Sequence, residues 1–432
     1  MQALNPEAQE INHILEKANP VLIRLLSQKG KAIFFPKRGV LEQGKEAKHK
    51  SINATIGMAI EDDQSPMRLQ TLADIISLDP KKVFPYAPSS GILPLREAWK
   101  SLVLKKNPGL KEPISLPVVT SGLTHALSVI GYLFINPGDR GIVPDLLWEN
   151  YSLIFEYGCG GVSQYYPTFS NHTYNLEALD AALKTHPGKQ IVLLNFPHNP
   201  SGYSPTEAEA DSIAACIRRS AEKGNTVLVI HDDAYFGLFY EEETYSQSLF
   251  SKTAHLHENV LAVKVDGATK EDYAWGFRTG FITYGMKGLD CDAYTALEDK
   301  TIGAIRSTIS SSCHLAQSAL LHAITSPQYP IQKENKRKLL KSRYDQVKKV
   351  LSQHSEYSEL FCPLPYNSGY FMCVELKQGL ESEAVRKRLL DTYDTGVVAL
   401  GGLLRIAYSS VAANAIPQLF DNIFKACQDL IK

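Results

Sequence analysis

No Cys-x-x-Cys pair occurs in this 432-residue chain; its seven cysteines stand singly at 159, 216, 291, 313, 362, 373 and 427. The absence removes the common zinc and redox motifs, so no metal is expected. Isolated thiols suit a reducing, cytoplasmic compartment. No apolar run approaches the length that spans a bilayer. The stretch from Met1 to Asn12 is polar and lacks the apolar core of a signal peptide. A membrane is therefore not an expected partner. An excess of one charge is missing too: the formal net charge is -1, which leaves no electrostatic footprint for nucleic acid. The clusters Lys336-Arg337-Lys338 and Lys348-Lys349 read as solvated helix faces. Internal repeats and low-complexity segments are absent. What is present, 44% apolar and 21% charged residues, describes an ordinary globular protein with enough chain for a large core.

Short apolar runs recur at Pro117-Val118-Val119, Gly141-Ile142-Val143, Ile191 to Leu194, Val227 to Ile230, Val260 to Val265 and Phe281 to Tyr284. Runs this short, rich in Val and Ile and alternating with helical patterns, predict a mostly parallel sheet covered on both faces. The fold class is thus α/β. Ser204, Pro205 and Glu207 predict a capped helix start, and Ala210, Ile213, Ala214 and Ile217 give that helix one buried face. From about Gln332 the pattern changes to a basic helical stretch, a strand over Gly369 to Leu376 and a helix from about Ala415. Residues 1–63 and 331–432 are expected to form a smaller α+β domain, and 64–330 the large one.

Three segments carry chemistry, most of them at the ends of predicted strands, where open α/β sheets bind ligands. They are Asn199-Pro200-Ser201-Gly202, Asp232-Asp233-Ala234-Tyr235, and Asp266-Gly267-Ala268-Thr269-Lys270 with Arg278 eight positions on. A lysine that forms an imine needs an electron sink, and pyridoxal 5'-phosphate is the commonest. Such a cofactor needs a lysine for its aldehyde, an acid at its ring nitrogen, donors at its phenolic oxygen and a cradle for its phosphate.

The order Asn, Asp-x-Ala-Tyr, Lys, Arg resembles the class I aminotransferases, which are fold-type I pyridoxal-phosphate enzymes. Matching elements run from Gly57 to Arg405, and the pattern is closest to the aspartate and aromatic branch. The resemblance implies that Lys270 holds the cofactor and moves a proton at the substrate Cα, and that Asp232, rather than Asp233, pairs with the ring nitrogen. Tyr235 and Asn199 would bond the phenolic oxygen, and the Asn199-Pro200 bond is a candidate for cis. Gly122, Leu123 and Thr124, opening a helix through Leu133, would hold the phosphate with Arg278 and Thr269. Gly267 departs from the pattern, since the family places a hydroxyl there. Trp148 would stack on the ring. Arg405 would take the substrate α-carboxylate in a planar fork, and Gly57 would let substrate approach the backbone. Tyr86, in Tyr86-Ala87-Pro88-Ser89-Ser90-Gly91, would reach the phosphate of a neighbouring subunit, which implies a homodimer with shared sites. Arg306 would read a distal carboxylate across that dimer, although Ser310-Ser311-Ser312-Cys313 replaces the family's Ser-Asn-Pro-Pro.

The function implied is transfer of an amino group between an L-amino acid, acidic or aromatic, and a 2-oxo acid in a ping-pong exchange. Two other readings share the main cofactor residues. One is a different fold-type I enzyme, such as a β-lyase, decarboxylase or synthase, because the pocket chooses which bond breaks. The other is a ligand-binding regulator that keeps the fold; the residues before Asn53 show no clear helix-turn-helix pair to support it.

Overall fold

The computed structural model describes residues 4–34, 39–74, 78–111 and 113–431. Met1 to Ala3 of the polar N-terminal stretch lie outside the described residues. All six apolar runs become strands of one seven-stranded sheet. Its order from one edge is Val118–Thr120, Gly280–Gly285, Val260–Gly267, Thr226–Asp232, Lys189–Asn195, Arg140–Pro144 and Val162–Tyr166. Gly280–Gly285 runs antiparallel to both its neighbours; the remaining pairs are parallel. The seventh strand leaves no apolar run in the sequence. Val162–Tyr166 is an edge strand, Val-Ser-Gln-Tyr-Tyr, with Val162 and Tyr165 exposed, so it never shows the continuous apolar run of a strand buried on both faces.

Alternation along the central strands feeds two cores. Ile191, Leu193, Leu228 and Ile230 join one, with Val263, Val265 and Phe281. Val192, Leu194, Val227 and Val229 join the other, with Ile213 and Ile217. Those last two belong to helix Glu207–Glu222, which lays the expected face of Ala210, Ile213, Ala214 and Ile217 on the sheet. Its cap differs from expectation. Thr206, not Ser204, caps the helix, and Glu209, not Glu207, completes the capping box. Ser204 is occupied elsewhere: its backbone N–H donates to Asn367 Oδ1 at 2.8 Å and its hydroxyl meets Ser368 Oγ at 2.8 Å. A residue committed to tertiary hydrogen bonds does not also serve as a cap.

A four-stranded antiparallel sheet, in the order Phe361–Pro363, Met372–Leu376, Leu403–Ile406 and Val398–Leu400, forms a second layer. Helices Ser382–Tyr393 and Ile416–Gln428 pack together beside it. Its second strand starts at Met372 rather than Gly369. Gly369 has φ +73° and its carbonyl accepts from the hydroxyls of Tyr240 and Tyr408, so this part of the chain is a turn. Near the other end of the chain, Ile52–Asn53 pairs in parallel with Thr395–Gly396. Helix Tyr329–Gln353, 25 residues long, follows the large sheet's last helices. Among the described residues no helix is long and apolar enough to cross a membrane.

Candidate active site

The C-terminal ends of the parallel strands converge on a cavity of about 480 Å³. Asn195 and Asp232 end neighbouring strands in direct register. Asn195 ties the two loops together: its amide donates to the Asp232 carbonyl at 2.8 Å, and its Oδ1 accepts the Asn199 N–H at 2.8 Å. The Asn199-Pro200 bond is cis, as is Phe196-Pro197. Asp232 is buried, with Oδ2 accepting the Tyr151 hydroxyl at 2.6 Å and Oδ1 the Ala234 N–H at 3.0 Å. Burial pushes the Asp232 carboxyl above its ordinary range, while Tyr151 and Lys270 pull it back down. Asp233 faces the opposite way. It forms a buried ion pair with Lys264, which also reaches Asp266 at 3.2 Å, and it accepts from Ser248 at 2.5 Å. Two adjacent carboxylates thus serve opposite faces of the strand end.

Lys270 projects into the cavity from a four-residue helix, Ala268–Glu271. Its Nζ lies 5.1 Å from the centre of the Tyr235 ring. Burial lowers its pKa, Asp232 opposes that shift and Arg278 adds to it. Tyr235 is buried against Tyr370 and Phe371. The hydroxyl of Thr269 is buried and has no hydrogen-bond partner among the described residues, yet Thr269 lines the cavity. Beside it begins helix Leu123–Phe134, whose first turn has free N–H groups. Gly122, before that helix, has φ +80°, and a Cβ there would lie 2.6 Å from Arg278 Nη2. The backbone conformation favours glycine, whose missing Cβ leaves room for the guanidinium.

Arg405 forms the facing wall. It is 5% exposed, its Nη2 donates to the Thr55 carbonyl at 3.2 Å, and its guanidinium lies 4.5 Å from the centre of the Phe371 ring. No carboxylate pairs with it among the described residues, and its Nε is unpartnered. A buried cation in that state calls for an anion. Trp148 and Gly57 also line the cavity.

Nearly every site residue expected from the sequence therefore meets in one place: Gly57, Leu123, Thr124, Trp148, Asn199, Asp232, Tyr235, Thr269, Lys270, Arg278 and Arg405 line the cavity. Three do not line it. Gly122 stands immediately before the helix whose first residues, Leu123 and Thr124, do. Tyr86 is 93% exposed. Arg306, in the last turn of helix Cys291–Thr308, is exposed and donates to Ser310 Oγ at 2.7 Å. Tyr151, Asn195, Trp275 and Phe371 also line the cavity, and no motif in the sequence singles them out. Tyr151 falls three residues after Trp148, but nothing in that spacing points it at Asp232.

A half-buried lysine, a buried carboxylate and a helix start around one cavity at the strand ends define a class, the fold-type I pyridoxal-phosphate enzymes. Within it the chain belongs to the class I and II aminotransferases, whose family model matches residues 58–423. It is similar to a Bacillus subtilis protein named as a probable N-acetyl-LL-diaminopimelate aminotransferase, at 26% identity over 62% of this chain and 63% of the relative. An aspartate aminotransferase of a Bacillus species matches at 26%, with the same coverage. The match thus spans somewhat less than two thirds of these curated relatives' length. Among solved structures, an aminotransferase from Anaerococcus prevotii has the same fold, with a TM-score of 0.82 at 21% identity, covering 93% of this chain and 99% of that one.

The family's cofactor is pyridoxal 5'-phosphate, and the residues present fit it. The cavity offers an amine of depressed basicity, a buried carboxylate held by a phenol, and an orphaned hydroxyl. Beside these lies a helix start that the Arg278 guanidinium approaches closely at Gly122. Among the described residues no cluster of His, Cys, Asp or Glu is arranged to hold a metal ion.

Proposed function

We propose that this chain moves an amino group between an L-amino acid, acidic or aromatic, and a 2-oxo acid by a ping-pong exchange. The observation that carries the reading is that Lys270 shares one cavity with a buried arginine, Arg405, that has no carboxylate partner among the described residues. When bound, pyridoxal phosphate supplies an electron sink for the bond broken at the substrate Cα. Lys270 would be its covalent anchor and, when free, the base for a proton at that carbon. Asp232 would hold a proton on the ring nitrogen, with Tyr151 keeping that carboxylate in place. Asn199 and Tyr235 would bond the phenolic oxygen, and Trp148 would offer its indole to the ring. The N–H groups of Leu123 and Thr124, together with Gly122, Thr269 and Arg278, would hold the phosphate; Thr269 and the backbone would supply what Gly267 cannot. Arg405 orients the substrate through its α-carboxylate, and Gly57 leaves room beside it.

The acidic or aromatic donor class follows the resemblance, and the aspartate aminotransferase relative supports it. Tyr86 and Arg306 are assigned to the site of a partner subunit in a homodimer. The high exposure of Tyr86, and of Phe84 at 84%, supports a covering surface there. The pairing of Ile52–Asn53 with Thr395–Gly396 supports grouping residues 1–63 with 331–432 as the smaller domain. Unpaired cysteines support a cytoplasmic setting.

The experiment is a visible spectrum of the purified protein, followed by single L-amino acids. The expected result is a yellow protein, bleached by an acidic or aromatic amino acid and restored by a 2-oxo acid. Lys270→Ala should lose the lysine-linked absorbance and reduce turnover by several orders of magnitude. A yellow protein that no amino acid bleaches would move the reading to another fold-type I reaction. Turnover retained by Lys270→Ala would remove it.

A further inference from the structure

Lys270 is followed at once by two carboxylates that turn away from the cavity. Glu271 and Asp272 are buried, at 4% and 0% exposure, and their partners come from two other helices. Lys106, the last residue of helix Leu93–Lys106, places Nζ 2.9 Å from each Glu271 oxygen. Lys333, near the start of helix Tyr329–Gln353, places Nζ 2.7 Å from Glu271 Oε1 and 3.0 Å from Asp272 Oδ1. One turn earlier, the Tyr329 hydroxyl donates to the same Asp272 oxygen at 2.6 Å. Two cations thus balance two carboxylates. Lys106 is further enclosed by the Trp99 and Phe236 rings, at 5.2 and 5.3 Å from their centres.

A buried ion cluster is a poor source of net stability, because desolvation consumes most of the attraction; what it gives is a defined geometry. The segment carrying Lys270 needs one. A helix of four residues, Ala268–Glu271, is far too short to hold itself. The chain just beyond it is strained, with Tyr273 at φ 57° and Arg278 at φ 50°. Bulky residues hold the left-handed region only where their surroundings over-determine it. Before Lys270 the chain is pinned by the sheet at Gly267, paired with Gly280. After Lys270 it is pinned by this cluster. The Tyr370 hydroxyl holds the Lys270 carbonyl itself at 2.9 Å.

We propose that Lys333 and Lys106 are positioning residues for Lys270, clamping the Glu271-Asp272 pair so that the lysine amine faces Asp232 and the cavity. The proposal rests on the role assigned to Lys270 above. It couples helix Tyr329–Gln353 to the reacting amine through one half-buried side chain.

The test uses the full chain without cofactor. Lysines are acylated with an N-hydroxysuccinimide ester of acetic acid over a range of pH, and the rate at Lys270 is read by peptide mass spectrometry. The groups facing that amine are Asp232, Arg278 and the Tyr235 ring, and none of them is altered. In Lys333→Met the turn loosens and Lys270 relaxes toward water. Its apparent pKa should rise by roughly half a unit or more, as relief of burial requires. The rate of pyridoxal phosphate capture should fall about tenfold, equivalent to about 1.4 kcal/mol. Lys333→Arg, which keeps the charge, should restore both. A Lys333→Met protein of lowered melting temperature whose Lys270 pKa and capture rate are unchanged would overturn the proposal, leaving Lys333 a structural residue. Should that variant not fold, Tyr329→Phe removes one hydroxyl only; a smaller shift in the same direction is expected, and no shift overturns the proposal. A wild-type protein that never captures the cofactor would sink the role given to Lys270, while its acylation profile would still report the clamp.

Discussion

At the scale of single residues, the neighbours Asp232 and Asp233 illustrate how much a strand end decides. Both are buried, yet one meets a phenol in the cavity and the other a lysine behind it. The motif Asp-x-Ala-Tyr separates the two by pattern alone, and the pleat of the strand gives the reason, since successive side chains point to opposite faces. Tyr151 is different. Its link to Asp232 joins residues 81 positions apart, and no local spacing announces it. Tyr151→Phe removes a hydrogen bond to a charged group, which is worth about 1.5–3 kcal/mol. The Asp232 carboxyl, already raised by burial, should rise further. Cofactor affinity measured by absorbance titration should fall by roughly one to two orders of magnitude. An unchanged dissociation constant would show that Tyr151 only fills space.

At the scale of elements, the apolar runs were legible because a strand buried on both faces leaves a continuous run in the sequence. The edge strand Val162–Tyr166 was not, since its exposed face breaks the run. Helix Glu207–Glu222 was legible by its buried face, while its cap was misplaced by two residues. The pattern Ser204-Pro205-Thr206-Glu207 contains two candidate caps, and the choice was made by Asn367 and Ser368, which lie more than 160 positions away. Thr206 caps the helix and Glu209 returns the bond. Thr206→Ala should therefore cost about 1 kcal/mol, seen as a lower urea midpoint with kcat unaltered. The same loss from Ser204→Ala would instead reflect its contacts to residues 367 and 368.

At the scale of the whole molecule, burial of neutral imidazoles makes stability depend on pH. His198 is held down to about 4 by burial, and His231 to about 3 by burial and the charge of Lys264. In the unfolded chain each titrates near 6.5. Between those values the unfolded state binds more protons, so stability rises with pH. The contribution is complete above about 6.5 and is lost as pH falls toward 4. Asp232, Asp266 and Asp272, raised by burial, act in the opposite sense, in a window beginning near 3.8. From pH 7 to 5 each histidine should remove about 2 kcal/mol. The urea midpoint should fall across that interval, and His198→Gln should make the fall smaller. An equal fall in the variant would assign the acid sensitivity elsewhere.

The sequence by itself determined the sheet's central strands, the family and many of the residues that line the cavity. Those depend on local period, on turn chemistry and on the order of short motifs, all of which survive in one dimension. Only the tertiary structure decided which groups hold those side chains in place. Tyr151 on Asp232, Thr55 beneath Arg405, and Lys106 and Lys333 on the carboxylates after Lys270 are partners brought together across the chain. Their pairing depends on where the folded elements stop. A buried charge must find a partner among whatever then stands within a few ångströms, and no spacing in the sequence encodes that distance.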